Sequence, residues 1–237
     1  MENVATPEYR QTWVRHNKVL DSLQSATRRR ISPYLQAVPL GRGAVVCEAG
    51  GVLDYAYFPT GCVLSLQTVL ENGSAIETAN IGSEGAFGLT AILSRRMSFV
   101  RSVVRLQGAL IRCPLDALRD EVGDKLLCHL CAVNSESILT QVQQNMVCNA
   151  RHDTTARLCR WLLTMHDRAG GESLAYPQTF LAGILGETCQ SIALAAQTMQ
   201  YNGLVTCRRG TIHMVDRAGL EQASCDCYAI VKKRLDA

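Results

Sequence analysis

The chain lacks most of what would mark an exported, membrane-bound or catalytic protein, and it carries little net charge. Its opening residues, Met1-Glu2-Asn3-Val4-Ala5-Thr6-Pro7-Glu8, do not show the basic and then apolar order of a signal peptide. No run of about 20 predominantly apolar residues appears, so no membrane span is expected and the protein reads as cytoplasmic. The longest uncharged stretch, Thr188 to Cys207, is rich in Gln, Ser, Thr and Asn. Gly-x-Ser-x-Gly, His-Glu-x-x-His and a phosphate-cradling loop are all missing, and Gly41-Arg42-Gly43 is too short to be one; it reads as a strand-connecting turn. The expectation is a protein that is not an enzyme. A net charge of +3 over 237 residues supplies no global field, so any affinity for nucleic acid must come from local Arg and Lys. Basic clusters occur at Arg28-Arg29-Arg30, Arg95-Arg96, Arg208-Arg209 and Lys232-Lys233-Arg234.

Cysteine is abundant, with 11 residues, but it lacks metal-ligand spacing. Cys128 and Cys131 lie one helical turn apart with no second pair nearby, and Cys47, Cys62, Cys113, Cys148, Cys159, Cys189 and Cys207 are scattered. Cys225 and Cys227 would point about 200° apart on a helix and so diverge. These residues read as reduced, small buried hydrophobes with a structural role, and no metal is expected. His16, His129, His152, His166 and His213 are equally dispersed, so no haem is expected.

What is present is a folded composition, 47% hydrophobic and 19% charged, long enough for two domains. Leu20, Leu23, Ile31 and Leu35 recur at helical intervals between about 13 and 35. From Val38 to Cys113 the pattern changes to short apolar runs broken by Gly, Pro and Asn-Gly, among them Ala44–Cys47, Tyr55–Phe58, Val63–Leu66, Val103–Leu106 and Ala109–Ile111. These predict a small antiparallel barrel or roll, with Asn72-Gly73 as a hairpin turn. Leu115 to Asn149 reads as one helix of some eight turns. Its half-polar seam, Leu127, Leu130, Asn134, Ile138, Gln141, Asn145 and Cys148, suggests pairing with a twin across a two-fold axis. Asp153 can cap the next helix, through Thr154, Leu158, Trp161, Leu162 and Met165 to about Ala169-Gly170-Gly171. The three parts are a roll with flanking helices over 1–115, a dimerisation helix and hinge over 116–152, and a C-terminal domain over 153–237.

Tyr176 to Val215 carries the most specific pattern. After Pro177, Phe180, Leu181, Ile184 and Leu185 make one helical face, and Gly186 supplies a tight turn. Thr188 can cap a second helix whose inward stripe is Ile192, Ala195, Ala196 and Met199, leaving Cys189, Gln190, Ala193, Leu194 and Gln197 outside. Asn202-Gly203 stops it, and Leu204, Val205, Cys207, Ile212 and Met214 alternate about an Arg208-Arg209-Gly210 tip. The order is that of a winged helix-turn-helix, whose second helix lays its first residues, Thr188 to Ser191, in a major groove while the wing reaches phosphates.

The whole chain resembles the Crp/Fnr superfamily of bacterial transcription regulators. The likeness rests on Tyr57-Phe58-Pro59 with Gly61 and Val63–Leu66, on Ile81-Gly82-Ser83-Glu84-Gly85 with Phe87-Gly88, on Arg101–Val104, on Asp153–Arg157 and on the winged helix. It implies an α+β protein with an N-terminal cyclic-nucleotide-binding-like roll, a long dimerisation helix and two winged helices per homodimer, set on a palindromic operator in double-stranded DNA, with RNA polymerase as a further candidate partner. By that resemblance the effector positions are Gly88, Leu89, Arg101, Ser102, Asn134 and Gln141. Arg101-Ser102 stands where cyclic-AMP-responsive relatives hold the phosphate, but Leu89 replaces the Glu that holds the ribose, and Val142-Gln143 replaces the small hydroxyl residues that meet the base. Cyclic AMP is therefore disfavoured and the effector left open, with Arg101 read equally as a salt-bridged barrel residue. Cys47 stands alone where iron-sulfur relatives carry an N-terminal cluster. Where relatives read bases with Arg, Glu and Arg, this chain has Cys189, Gln190 and Leu194, and no Arg or Lys falls between Glu187 and Tyr201. The alternative is an interaction or ligand-binding module of the same fold that has lost DNA binding.

Overall fold

A computed structural model of the chain describes residues 17–94, 96–169 and 175–236. Positions 13–16, Arg95 and Gly170-Gly171, which enter the readings above, lie outside the described residues. In chain order the elements are α1 (Lys18–Asp21), α2 (Ser25–Ile31), a 3-10 turn (Ser32–Tyr34), β1 (Gln36–Leu40), β2 (Val45–Cys47), β3 (Tyr55–Pro59), β4 (Val63–Val69) and β5 (Ala75–Ile81). A second 3-10 turn (Leu89–Leu93), β6 (Arg101–Leu106), β7 (Gly108–Pro114), α3 (Leu115–Val122), α4 (Asp124–Arg151) and α5 (Thr154–Arg168) follow. The chain closes with β8 (Ala175–Pro177), α6 (Gln178–Leu185), α7 (Cys189–Tyr201), β9 (Val205–Arg208), β10 (Thr211–Met214), α8 (Arg217–Ala223) and α9 (Cys227–Asp236).

Two compact units result, one of residues 1–68 and 79–139, the other of 69–78 and 140–237. The division falls within α4, whereas the break in the helical backbone comes later, where Asp153 caps α5 by accepting from the Ala156 N–H at 2.9 Å.

The first unit holds the roll. Its strands form two antiparallel sheets, in the orders β1-β7-β3 and β2-β6-β4-β5. The first five residues of β4 are buried without alternation, as in a strand covered on both faces. Phe58, Leu64, Val104, Leu110 and Ile111 fill the core. Asn17 locks the entry helix: its Oδ1 caps α1 by accepting from Val19 and Leu20, and its Nδ2 donates to the Pro59 and Gly85 carbonyls, each at 2.9 Å. The Asn72 turn forms as expected, with Oδ1 accepting from the Ser74 N–H at 2.9 Å.

The helix expected from Leu115 to Asn149 is in fact two. Gly123, at φ 82°, ends α3, and α4 restarts at Asp124 for 28 residues.

In the second unit, α5 to α8 and the sheet β8-β10-β9 surround Leu158, Trp161, Leu162, Met165, Leu181, Ile192, Met199, Ile212 and Leu220. The wing is thus three-stranded, not a bare hairpin. The added strand β8 pairs Tyr176 with Ile212, and Tyr176 stacks on Phe180 and meets Trp161 edge-on. The Trp161 Nε1–H donates to Glu77 Oε1 at 2.9 Å, which anchors the β4–β5 hairpin tip in this unit.

Candidate DNA interface

Pro177 starts α6, and Leu181, Ala182 and Ile184 turn inward. Gly186 ends that helix in the left-handed region at φ 65°, and a Cβ there would lie 3.0 Å from the Ile76 side chain; conformation and space both select glycine. The chain bends by 114° between α6 and α7, an angle proper to a helix-turn-helix. Thr188 caps α7 as the sequence predicts, its Oγ1 accepting from the Ser191 N–H at 3.0 Å.

The turn is braced by Arg157, a residue the sequence reading had placed only as part of a helix start. Its side chain is buried, with Nη1 2.5 Å from Glu187 Oε1 and Nη2 donating to the Leu185 carbonyl at 2.6 Å. One guanidinium thus satisfies an open carbonyl at the end of α6 and holds the carboxylate that begins the turn.

Ile192, Ala195, Ala196 and Met199 face the core, which leaves Thr188, Cys189, Gln190, Leu194 and Gln197 exposed and Ser191 at the edge. Gln190, Leu194, Gln197 and Tyr201 follow at four-, three- and four-residue steps and so share one face. Leu194 is 65% and Tyr201 92% exposed, and Tyr201 extends the face beyond the residues the sequence singled out.

At the wing tip Arg209 has φ 49° and Gly210 φ 74°. Two positive φ values in a two-residue hairpin make a type I′ turn, whose first position favours Asn, Asp or Gly and where arginine is unusual. Arg208 and Arg209 are both exposed. The Cys207 N–H donates to Gln200 Oε1 at 2.7 Å, tying the wing to the end of α7. Burial pushes the Cys207 thiol above its ordinary pKa, so it stays protonated at neutral pH.

The six effector positions are placed less favourably. Gly88 is left-handed at φ 80° and Leu89 is buried in the 3-10 turn, where its carbonyl meets Cys131 Sγ at 3.5 Å. Arg101 pairs with Glu48 at 3.0 Å, the salt-bridged alternative. Ser102 is fully buried, and its Oγ finds no hydrogen-bond partner among the described residues. Asn134, 5% exposed, clasps the Ala86 backbone, accepting from its N–H at 2.8 Å and donating to its carbonyl at 3.0 Å. Gln141 is buried and belongs to the second unit.

Part of the seam expected to face a twin is turned inward by contacts of the same kind. Leu127, Asn134 and Gln141 are already buried within one chain, Leu130 and Ile138 half so. Asn145 donates to the Thr78 carbonyl at 2.6 Å and accepts from Arg160. These polar residues face inward because the chain's own backbone and side chains satisfy them. The exposed apolar side chains of α4 are instead Val133, Leu139, Met146 and Val147. Leu139 and Met146 are one heptad apart, Val133 and Val147 two.

Cys128 is exposed and Cys131 buried, so the two do not share a site. The expectation that Cys225 and Cys227 diverge fails, because α9 begins only at Cys227 and Cys225 lies in the preceding turn. Both thiols are buried in one cluster with Cys148.

The model of the Crp-like helix-turn-helix domain matches residues 156–223. The chain carries a Crp-like helix-turn-helix domain. Around it lies the fold of the Crp/Fnr regulators. A Crp/Fnr-family protein of Eubacterium rectale superposes with a TM-score of 0.69 at 17% identity, over 88% of this chain and 98% of its own. FixK2 of Bradyrhizobium japonicum gives 0.66 at 15%, over 81% and 98%. The c-di-GMP-responsive global regulator CLP of Xanthomonas campestris gives 0.64 at 17%, over 81% and 100%. No curated protein matches the chain significantly. The Crp-like domain begins within α5 and ends with α8, so it contains the Arg157 brace, the bent helix pair and the wing. No single helix among the described residues is long and apolar enough to cross a membrane.

Proposed function

We propose that the chain is a homodimeric, sequence-specific DNA-binding transcription regulator that does not require cyclic AMP. The observation that carries this is the exposed face of Gln190, Leu194 and Gln197 on a capped, braced helix, beside a wing that holds out Arg208 and Arg209. With no cation on the helix, affinity rests on the wing and on open backbone N–H groups at the start of α7, and specificity rests on uncharged readout. Gln190 can hydrogen-bond an adenine edge in paired fashion, and Leu194 can pack on a thymine methyl.

Dimerisation is assigned to the Val133, Leu139, Met146 and Val147 side of α4 and to a second copy of this chain. These exposed apolar side chains on a long helix are what a second copy of the chain would cover in a two-fold pairing. The two winged helices would then meet half-sites about 34 Å apart on a palindrome, with RNA polymerase as the neighbour through which such binding acts on transcription.

Cyclic AMP is disfavoured on chemical grounds. Leu89 offers the ribose hydroxyls no acceptor, and each buried hydroxyl left unpaired costs about 1 to 3 kcal/mol. Arg101 is held by Glu48. The test is calorimetric titration with cyclic AMP and cyclic GMP beside operator binding without them; c-di-GMP, named for the Xanthomonas protein, belongs in the same series. Tight operator binding by nucleotide-free protein supports the reading. Loss of all sequence preference would instead favour an interaction module that kept the fold without DNA readout.

A further inference from the structure

Cys148, His152, Cys225 and Cys227 each present one ligand atom, and these atoms all lie within 4.8 Å of one another. All four belong to the second unit. Cys148 and His152 are one turn apart at the end of α4, where the His152 N–H still donates to the Cys148 carbonyl at 3.0 Å, so their side chains share a face. Cys225 comes from the turn before α9 and Cys227 from its first residue.

The distances suit one small cation. Metal–sulfur bonds of about 2.3 Å and a metal–nitrogen bond of about 2.0 Å, set tetrahedrally, place sulfurs about 3.8 Å apart and sulfur from nitrogen about 3.5 Å apart. Cys148 Sγ and Cys225 Sγ are 3.5 Å apart, and Cys227 Sγ is 3.5 Å from His152 Nδ1.

The sulfurs and the imidazole also have polar neighbours that suit metal ligands. The Gln144 Nε2–H donates to Cys227 Sγ at 3.0 Å. His152 Nε2 faces Asp226 Oδ1 at 3.5 Å, which leaves Nδ1 aimed at the sulfurs, as a histidine ligand oriented by an outer carboxylate requires. Three thiolates, one imidazole and a divalent ion sum to a single negative charge, and Arg160 stands beside it.

We infer that these four residues form a closed, tetrahedral Cys3His site for a divalent ion of the zinc class. Thiolate-rich ligation selects soft ions, and four protein ligands leave no open position, so the site is structural. Cys148 and His152 precede the Crp-like domain and Cys225 and Cys227 follow it, so the ion staples the domain's two ends.

The test uses the full chain, reduced and freed of metal, then loaded with Zn2+ or Co2+. One ion per chain is expected by native mass spectrometry, and Co2+ should show sulfur-to-metal charge transfer with the intense visible bands of tetrahedral cobalt. Cys148→Ser and Cys227→Ser should bind at least about tenfold more weakly, whereas Cys128→Ser should bind normally. Because the serine variants can lose their fold, alkylation of the wild type is mapped as well: Zn2+ should protect Cys148, Cys225 and Cys227 and leave the exposed Cys128 and Cys189 reactive. Absence of the cobalt–thiolate bands, protection at other cysteines, or a Cys148–Cys225 disulfide in protein that takes up no metal would overturn the site.

Discussion

The two units use their polar side chains in opposite ways. In the roll, two of the polar groups at the expected effector positions are turned on the protein itself, Arg101 on Glu48 and Asn134 on both polar groups of Ala86, while the buried Ser102 Oγ has no partner among the described residues. In the second unit the polar residues of α7 and the wing arginines are held out to solvent, while the buried polar groups beneath them brace the turn. A site that waits for a large external partner leaves donors and acceptors exposed on a rigid frame. By that measure the exposed face of α7 and the wing are open to a partner, whereas Arg101 and Asn134 in the roll are already engaged.

The sharpest way to break this contrast is to remove the brace. Arg157→Met leaves the half-buried Glu187 carboxylate and the Leu185 carbonyl without their partner and should destabilise the second unit by about 1 to 3 kcal/mol. Urea unfolding followed by Trp161 fluorescence, in a Trp13→Phe background, reads it. The double variant with Glu187→Leu should recover most of the loss, since removing both charges leaves none unpaired.

Gln190→Ala should relax preference at one base position by about 1 to 3 kcal/mol and leave stability unchanged, measured by binding to a set of single-base operator variants. Arg209→Gly should weaken all duplexes alike and reduce the salt slope by about 0.9 per lost phosphate contact. It should also raise stability modestly, because glycine accepts the φ of 49° that arginine holds under strain. The smallest effect belongs to the roll: Arg101→Ala breaks a partly exposed pair and should cost no more than about 1 kcal/mol of stability, with operator affinity unaltered. A large loss of DNA binding in Arg101→Ala would show that the roll communicates through this residue.

Much of this was legible in the sequence where local chemistry decides. Pro177, Gly186, Thr188 and Asn202-Gly203 punctuate the helix pair, and the structure follows them because caps and turns are fixed by a few adjacent residues. The partners of α4 were not legible. Asn134 and Asn145 look like interface residues in a heptad, and only the fold brings Ala86, Thr78 and Arg160 to them. The Arg157–Glu187 brace crosses 30 positions and has no local signature. The Cys148 and Cys225 thiols lie 77 positions apart, and the helical wheel misjudged Cys225 because α9 starts two residues later. Strand β8 was missed because three residues ending in proline carry too little pattern.

The central claim is that the nucleotide-free chain reads DNA as a dimer through α7 and the wing. Selection of bound duplexes from a random pool with the full-length protein, free of cyclic nucleotide, tests it most directly. The account predicts a palindromic motif with half-site centres about one helical turn apart, and loss of one base preference within each half-site in Gln190→Ala. Recovery of no motif without cyclic AMP, and of a clear one with it, would contradict the account.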